Sequence, residues 1–125
     1  MIVSFNTHDL LRDCLRSLPE ACAGRSSEVF VVDNRSHDGS ADMVEREFPG
    51  VRLVRSERNL GFAAGNNLAF GLARGRFVYC LNPDTVSHPG SVSTLVEALE
   101  GDPRIGYVGP KLLNSDGSHQ WSAYR

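Results

Sequence analysis

Asp84 is the residue with the most chemistry to offer, in the run Asn82-Pro83-Asp84-Thr85 directly behind the apolar run Phe77 to Leu81. A single carboxylate at a strand end suits a hard divalent cation that keeps several waters and takes its other ligands from substrate phosphates. The same spelling suits a turn capped by an Asx side chain. On that segment alone the two readings stand level. A second polar cluster, Asp33-Asn34-Arg35-Ser36-His37-Asp38-Gly39-Ser40, follows Glu28 to Val32. Asp33 or Asn34 could read the hydrogen-bonding edge of a nucleobase, whereas Asp38-Gly39-Ser40 has the chemistry of a turn entering a helix. A third cluster, Asn59-Leu60-Gly61-Phe62-Ala63-Ala64-Gly65-Asn66-Asn67, crowds small residues at a helix start. Small residues there let a backbone approach a ligand, and a helix N-terminus favours phosphate. Close packing of helix on sheet is served equally by Gly and Ala. Arg55 and Arg58 flank the exit of the third strand and face either phosphates or solvent.

Other chemistries find less support. The four histidines (His8, His37, His88, His119) lack ligand spacing, which argues against a zinc site. No Ser-His-Asp order or nucleophile elbow is visible, and Cys80 lies inside a predicted strand as a small hydrophobe. The cluster at 59–67 is not a GxGxxG fingerprint and does not follow the first strand, so a dinucleotide cofactor is not indicated.

The elements that must position these residues follow from two alternating apolar periods. Ile2 to Phe5 is a short first strand. Thr7 can cap a helix with Leu10, Leu11, Cys14, Leu15 and Leu18 on one face. Glu28 to Val32 is a buried strand, followed by a helix through Met43, Val44 and Phe48 that stops at Pro49-Gly50. Val51 to Val54 is the third strand. The span 61–73 is helical by period, with Phe62, Leu68, Ala69 and Leu72 inward. Phe77 to Leu81 is the fourth strand, Val92, Leu95, Val96 and Leu99 mark another helix, and Ile105 to Val108 a fifth strand. The order βαβαβαβαβ predicts an α/β fold, a mostly parallel sheet with helices on both faces. Ligands in such folds sit outside the carboxyl ends of the strands, where all three polar clusters would converge.

Composition bounds the rest. A chain of 125 residues, 41% hydrophobic and 22% charged, fits one globular domain over 1–125 with a core of its own. Thirteen basic against 15 acidic residues leave a net charge of -2 and no basic face, which argues against nucleic acid or anionic membrane as a partner. No apolar run approaches the ~20 residues of a membrane span, and Met1-Ile2-Val3 is too short for a signal-peptide core. Three cysteines without a CxxC pair fit a reducing cytosol.

Five segments in order carry a resemblance. They are Ser4-Phe5-Asn6; Val31-Val32-Asp33-Asn34 with Ser36 and Asp38-Gly39-Ser40; Asn59-Leu60-Gly61-Phe62-Ala63 with Gly65-Asn66-Asn67; Leu81-Asn82-Pro83-Asp84-Thr85; and Val108 to Asn114 with Asp116-Gly117-Ser118. Together they resemble the nucleotide-sugar-binding half of family 2 glycosyltransferases, and the spellings of the third and fourth are similar to the rhamnosyltransferase-like branch that uses dTDP-rhamnose. The resemblance implies a Rossmann-like GT-A fold. It implies that Val3, Phe5, Asn6 and the pair Asp33-Asn34 border the nucleobase, with Asn34 where relatives often carry an acidic base-reading residue. Arg58, Asn59, Gly61, Gly65, Asn66, Asn82 and Asp84 complete the expected nucleotide-sugar contacts. Asp84 matches the last carboxylate of the DXD-type motif that holds Mg2+ or Mn2+ against the diphosphate, and Asn82 replaces its first Asp. The implied reaction is inverting transfer to a saccharide or lipid-linked acceptor, with a general base downstream of Arg125. The chain is accordingly expected to be a fragment of a longer enzyme, cytoplasmic, at the inner face of the membrane in the full-length protein. A non-catalytic nucleotide-binding fragment is the alternative. A receiver-like domain wants paired acids where Asn6-Thr7 stands, and a sugar nucleotidyltransferase wants a Gly-rich loop after the first strand. Leu112, Leu113, Trp121 and Tyr124 would lack cover, so self-association through residues 110–125 is expected.

Overall fold

The computed structural model describes residues 1–120, so Trp121 and Tyr124 lie outside the described residues. Its elements are β1 (Ile2–Ser4), α1 (His8–Cys22), β2 (Phe30–Asp33), α2 (Ser40–Glu47), β3 (Arg52–Arg55), α3 (Gly61–Phe70) and α4 (Ser91–Gly101). The strands are parallel in the order β1-β2-β3, and Leu81 bridges to Ile2 on the free side of β1. An α/β sheet flanked by helices is therefore what the chain forms.

Strand alternation sends side chains to two faces, and the parallel register stacks them in rows. Ile2, Val31 and Leu53 form one row; Val3, Val32 and Val54 form the next, on the opposite face. The first row packs with Leu11, Cys14, Leu15 and Leu18 of α1 and Met43 and Val44 of α2. The second, with Phe30, packs on Ala69 of α3. Burial of these β-branched and Leu side chains, each of about 1.5–3 kcal/mol, is the main force holding helices to sheet. The end of α4 is tied to the segment just after α1 through Arg25, whose guanidinium pairs with Glu97 at 3.5 Å and Glu100 at 3.3 Å.

Several expected features differ. Leu10 is exposed, because the apolar stripe of α1 is centred on Leu11, Leu15 and Leu18. Thr7 makes no side-chain cap; its hydroxyl meets that of Ser4 at 2.9 Å instead. Phe62, Leu68 and Leu72 face outward, and α3 lays Gly65, Asn66 and Ala69 on the sheet. A Cβ built at Gly65 would lie 2.9 Å from Val3 Cγ1, so any larger residue at position 65 would force Val3 or the helix to shift. The predicted strand at 77–81 shrinks to the bridge at Leu81. Leu81 N–H donates to Met1 O at 2.9 Å and Met1 N to Tyr79 O at 2.7 Å, so residues 77 and 78 fall beyond the first residue of β1. Residues 105–108 form no strand, and Ile105 and Tyr107 are exposed: no ladder partner stands beside them among the described residues.

Candidate functional site

Parallel pairing brings Ser4, Asp33 and Arg55 level at the carboxyl edge of the sheet. Leu81 is level with Ile2, so the following Asn82-Pro83-Asp84 comes out at the same edge on the far side of β1. Two strand spacings, about 10 Å, therefore separate the Asp33 position from the Asn82 position.

The two loops that leave β1 and β2 are tied together. Asn6 N–H donates to Ser36 Oγ at 3.0 Å, His37 N–H to Asn6 Oδ1 at 2.8 Å, and His8 N–H to Asp38 Oδ2 at 2.8 Å. Asn6 and Arg35 take left-handed backbone angles, with φ of 53° and 66°, to make this seam. Asp38 Oδ1 accepts the N–H of Ser40 at 3.0 Å, which is the turn-and-helix-start role expected of it. Asn6 thus spends its side chain on the loop of β2, while Phe5 stays exposed beside it.

Asp33 and Asn34 part company at the strand end, because the pleat turns them to opposite faces. Asp33 is 4% exposed; Oδ2 accepts the Ser36 N–H at 3.0 Å, and Oδ1 is buried with no partner among the described residues. A buried acceptor without a donor is costly unless something else supplies one. Asn34, 2% exposed, turns toward α3: its Oδ1 accepts the Leu60 N–H and its Nδ2 donates to Gly61 O, both at 3.3 Å. Asn59 Oδ1 accepts the Gly61 N–H at 2.8 Å. Two amides at the start of α3 are therefore already taken. Asn66 Nδ2 donates to Phe62 O at 3.0 Å, and its Oδ1 is buried without a partner among the described residues.

Of the arginines, Arg55 is committed to α2, at 2.7 Å from both Asp42 and Glu45, and Arg58 is exposed. Asp84 is exposed, on a loop held from behind by α1. Cys14 Sγ donates to Asn82 O at 3.7 Å, and Ser17 Oγ accepts the Ser87 N–H at 3.0 Å. Sequence reasoning missed both anchors. The available signal was Ser17 three residues after Cys14, a hydroxyl among the apolar positions of a helix. Burial first, then the nearby Asp84 charge, pushes the Cys14 thiol up to about 11.

No group of three or more His, Cys, Asp or Glu capable of holding a metal occurs among the described residues. One exposed carboxylate fits a cation whose other ligands are waters and substrate phosphates, and it would not hold one alone. A hollow of about 820 Å³ lies elsewhere: Met1, Phe30, Phe77 and Val96 line it at the amino end of the strands.

The sequence model described as Glycosyl transferase family 2 matches residues 1–125. The chain belongs to that family. An N-acetylglucosaminyl-diphospho-decaprenol L-rhamnosyltransferase of Mycobacterium tuberculosis is 32% identical over 105 residues, 75% of this chain and 34% of that protein. A mannosyltransferase of Pyrobaculum calidifontis, solved with GDP-Man and Mn2+, is 28% identical at a TM-score of 0.76, covering 84% of this chain and 32% of that one. S. aureus TarS with UDP shares the fold at a TM-score of 0.71 and 21% identity, over 81% and 31% of the two chains. The chain spans about a third of the length of the curated relatives it matches. No helix among the described residues is long and apolar enough to cross a membrane.

Proposed function

We propose that this chain supplies the nucleotide-sugar-binding part of an inverting, metal-assisted glycosyltransferase whose acceptor is a saccharide or a lipid-linked sugar. The observation that carries the reading is the level arrangement of Asp33 and the Asn82–Asp84 loop on either side of β1. The base would lie against the β1 and β2 ends, near Val3, Phe5, Asn6, Asp33 and Asn34. Asp33 Oδ1 lacks a donor, which a base N–H would supply. The diphosphate would run toward Asn82 and Asp84, with Arg58, Asn59, Gly61, Gly65 and Asn66 bordering it from α3 and its loop. Asp84 would hold Mg2+ or Mn2+, which when bound neutralises charge on the departing nucleoside diphosphate. Cys14 and Ser17 keep the Asp84 loop in place. No residue of this chain is assigned as the base that takes the acceptor proton. The M. tuberculosis relative supports a deoxysugar donor such as dTDP-rhamnose and a lipid-linked acceptor. Such an acceptor supports action at the inner face of the membrane. Self-association through the segment after residue 110 belongs to the same reading, since Leu113 is exposed.

Saturation-transfer NMR with UDP-, GDP- and dTDP-sugars, with and without Mn2+, tests this directly. Metal-dependent binding of at least one is expected, and Asp84→Ala should abolish the metal dependence while leaving the fold intact. Binding to none, or equal metal dependence in the variant, overturns the reading.

A further inference from the structure

We infer that Ser17 is a positioning residue for the cation carboxylate, pinning the segment behind Asp84 to α1 and so setting where Asp84 stands; this rests on the donor-site reading above. Three groups of α1, spaced by three residues, meet the segment 82–90 in chain order. Cys14 Sγ donates to Asn82 O at 3.7 Å, Ser17 Oγ accepts the Ser87 N–H at 3.0 Å, and Glu20 O accepts the Gly90 N–H at 2.9 Å. Residues so spaced lie along one side of a helix, so the segment is strapped lengthwise to α1. The first two anchors lie about 4.5 Å apart along the helix axis. Extended, the chain from Asn82 to Ser87 would reach about 17 Å. It takes up the excess as a bulge, closed by the Thr85 N–H donating to Asn82 O at 3.2 Å. Asp84 is exposed on that bulge, and Ser87 is buried at its foot.

Of the three anchors, Ser17 is the one whose side chain sets that foot. Its own proton goes to Cys14 O at 2.7 Å, one turn back, so α1 itself holds the hydroxyl with its oxygen toward Ser87. The Cys14 contact is long and its S–H a weak donor, and Glu20 contributes only backbone. A lone carboxylate gives the cation its one ligand from this chain, so a misplacement of about 0.5 Å against the diphosphate lowers affinity directly. Losing the Ser17 hydroxyl leaves the buried Ser87 N–H without its acceptor and lets the bulge shift. No residue of 82–90 belongs to the apolar clusters that hold the sheet, so the fold survives the change.

The test compares Ser17→Ala and Ser17→Thr with the unaltered chain, each with Asp84 present and in an Asp84→Ala background. Calorimetry gives the affinity for UDP, GDP and dTDP with Mn2+ and with the metal withheld. Hydrogen exchange follows the Ser87 amide without nucleotide. Ser17→Ala should lower the Mn2+-dependent gain in affinity about fivefold to tenfold, the loss of about one hydrogen bond, and leave metal-free affinity unchanged. Its Ser87 amide should exchange at least about tenfold faster while the β2 amides stay protected. Ser17→Thr keeps the hydroxyl and should restore both readings to within about twofold of the unaltered chain. In the Asp84→Ala background, Ser17→Ala should leave binding as it is. A fall in metal-free affinity as large as the fall with Mn2+ would make Ser17 a general structural residue and overturn the inference. So would an unchanged Ser87 amide in Ser17→Ala. Should the unaltered chain show no Mn2+-dependent binding, the donor-site reading fails and takes the inference with it. A Mn2+ response that is present and indifferent to residue 17 overturns the inference alone.

Discussion

Asp38 divides its two oxygens between two loops: Oδ2 accepts from His8 N–H at 2.8 Å, and Oδ1 from Ser40 N–H at 3.0 Å and Ser40 Oγ at 2.5 Å. Desolvation works against its ionised form, but the Ser40 and His8 donors outweigh it and hold the carboxyl below its ordinary 3.8. Asp38→Ala should cost about 1–2 kcal/mol in urea unfolding, and Asp38→Asn, with one acceptor, roughly half of that. The sign with pH follows from the depressed folded value. The contribution is complete above the unfolded value and lost as pH falls through the folded one. The stability gap between the unaltered chain and Asp38→Asn should therefore stay flat from pH 7 to about 5 and close below about 4. A gap that widens in acid would show that the carboxylate is not the stabilising form. Cys14 makes a second case. It is fully buried and pushed up to about 11, so it holds almost no thiolate at pH 8. Iodoacetamide at that pH should label exposed Cys80 and spare Cys14, as read by peptide mass mapping. Equal labelling would mean that the α1 core face opens.

At the scale of elements, α3 shows how packing overrides periodicity. Its large apolar residues invite an inward reading, yet the sheet accepts only the Gly65-Asn66-Ala69 face. Gly65→Ala gains up to about 1 kcal/mol of helix propensity and loses about 1–3 to overpacking against Val3, so a net loss near 1 kcal/mol is expected. In a Val3→Ala background the clash has room to vanish. The same change should then be neutral or stabilising, and chemical unfolding of the four chains of the cycle gives the coupling. Additive losses would place the contact elsewhere than Val3. The anchors of the Asp84 loop belong to this scale too, because α1 carries Cys14 and Ser17 on the side that meets residues 82–87.

Over the described residues, burial is uneven. The β1-β2-β3 sheet with α1, α2 and α3 holds nearly all of the buried core, whereas Val78, Ile105, Tyr107 and Leu113 remain exposed. The hollow of about 820 Å³ beside α4 adds apolar surface from Phe77, Val92 and Val96. Uncovered apolar surface of this kind favours association. Sedimentation velocity is expected to show a mass average rising with concentration. A monomer at every concentration would remove self-association from the proposal.

The sequence determined the α/β class, the first three strands to within two residues, the parallel order and the edge at which polar clusters emerge. It could do so because period-two and period-3.6 apolar patterns and turn residues are local signals. It also carried the family, through five spelled segments. It could not show that 77–81 and 105–108 stay out of the sheet, since a strand needs a neighbour and the sequence does not say which neighbours stand beside it. Nor could it separate Asp33 from Asn34, two polar residues at one strand end. The pleat sends one toward the α2 loop and the other toward α3, and only the packed elements there reveal which polar atoms are taken and which is left over.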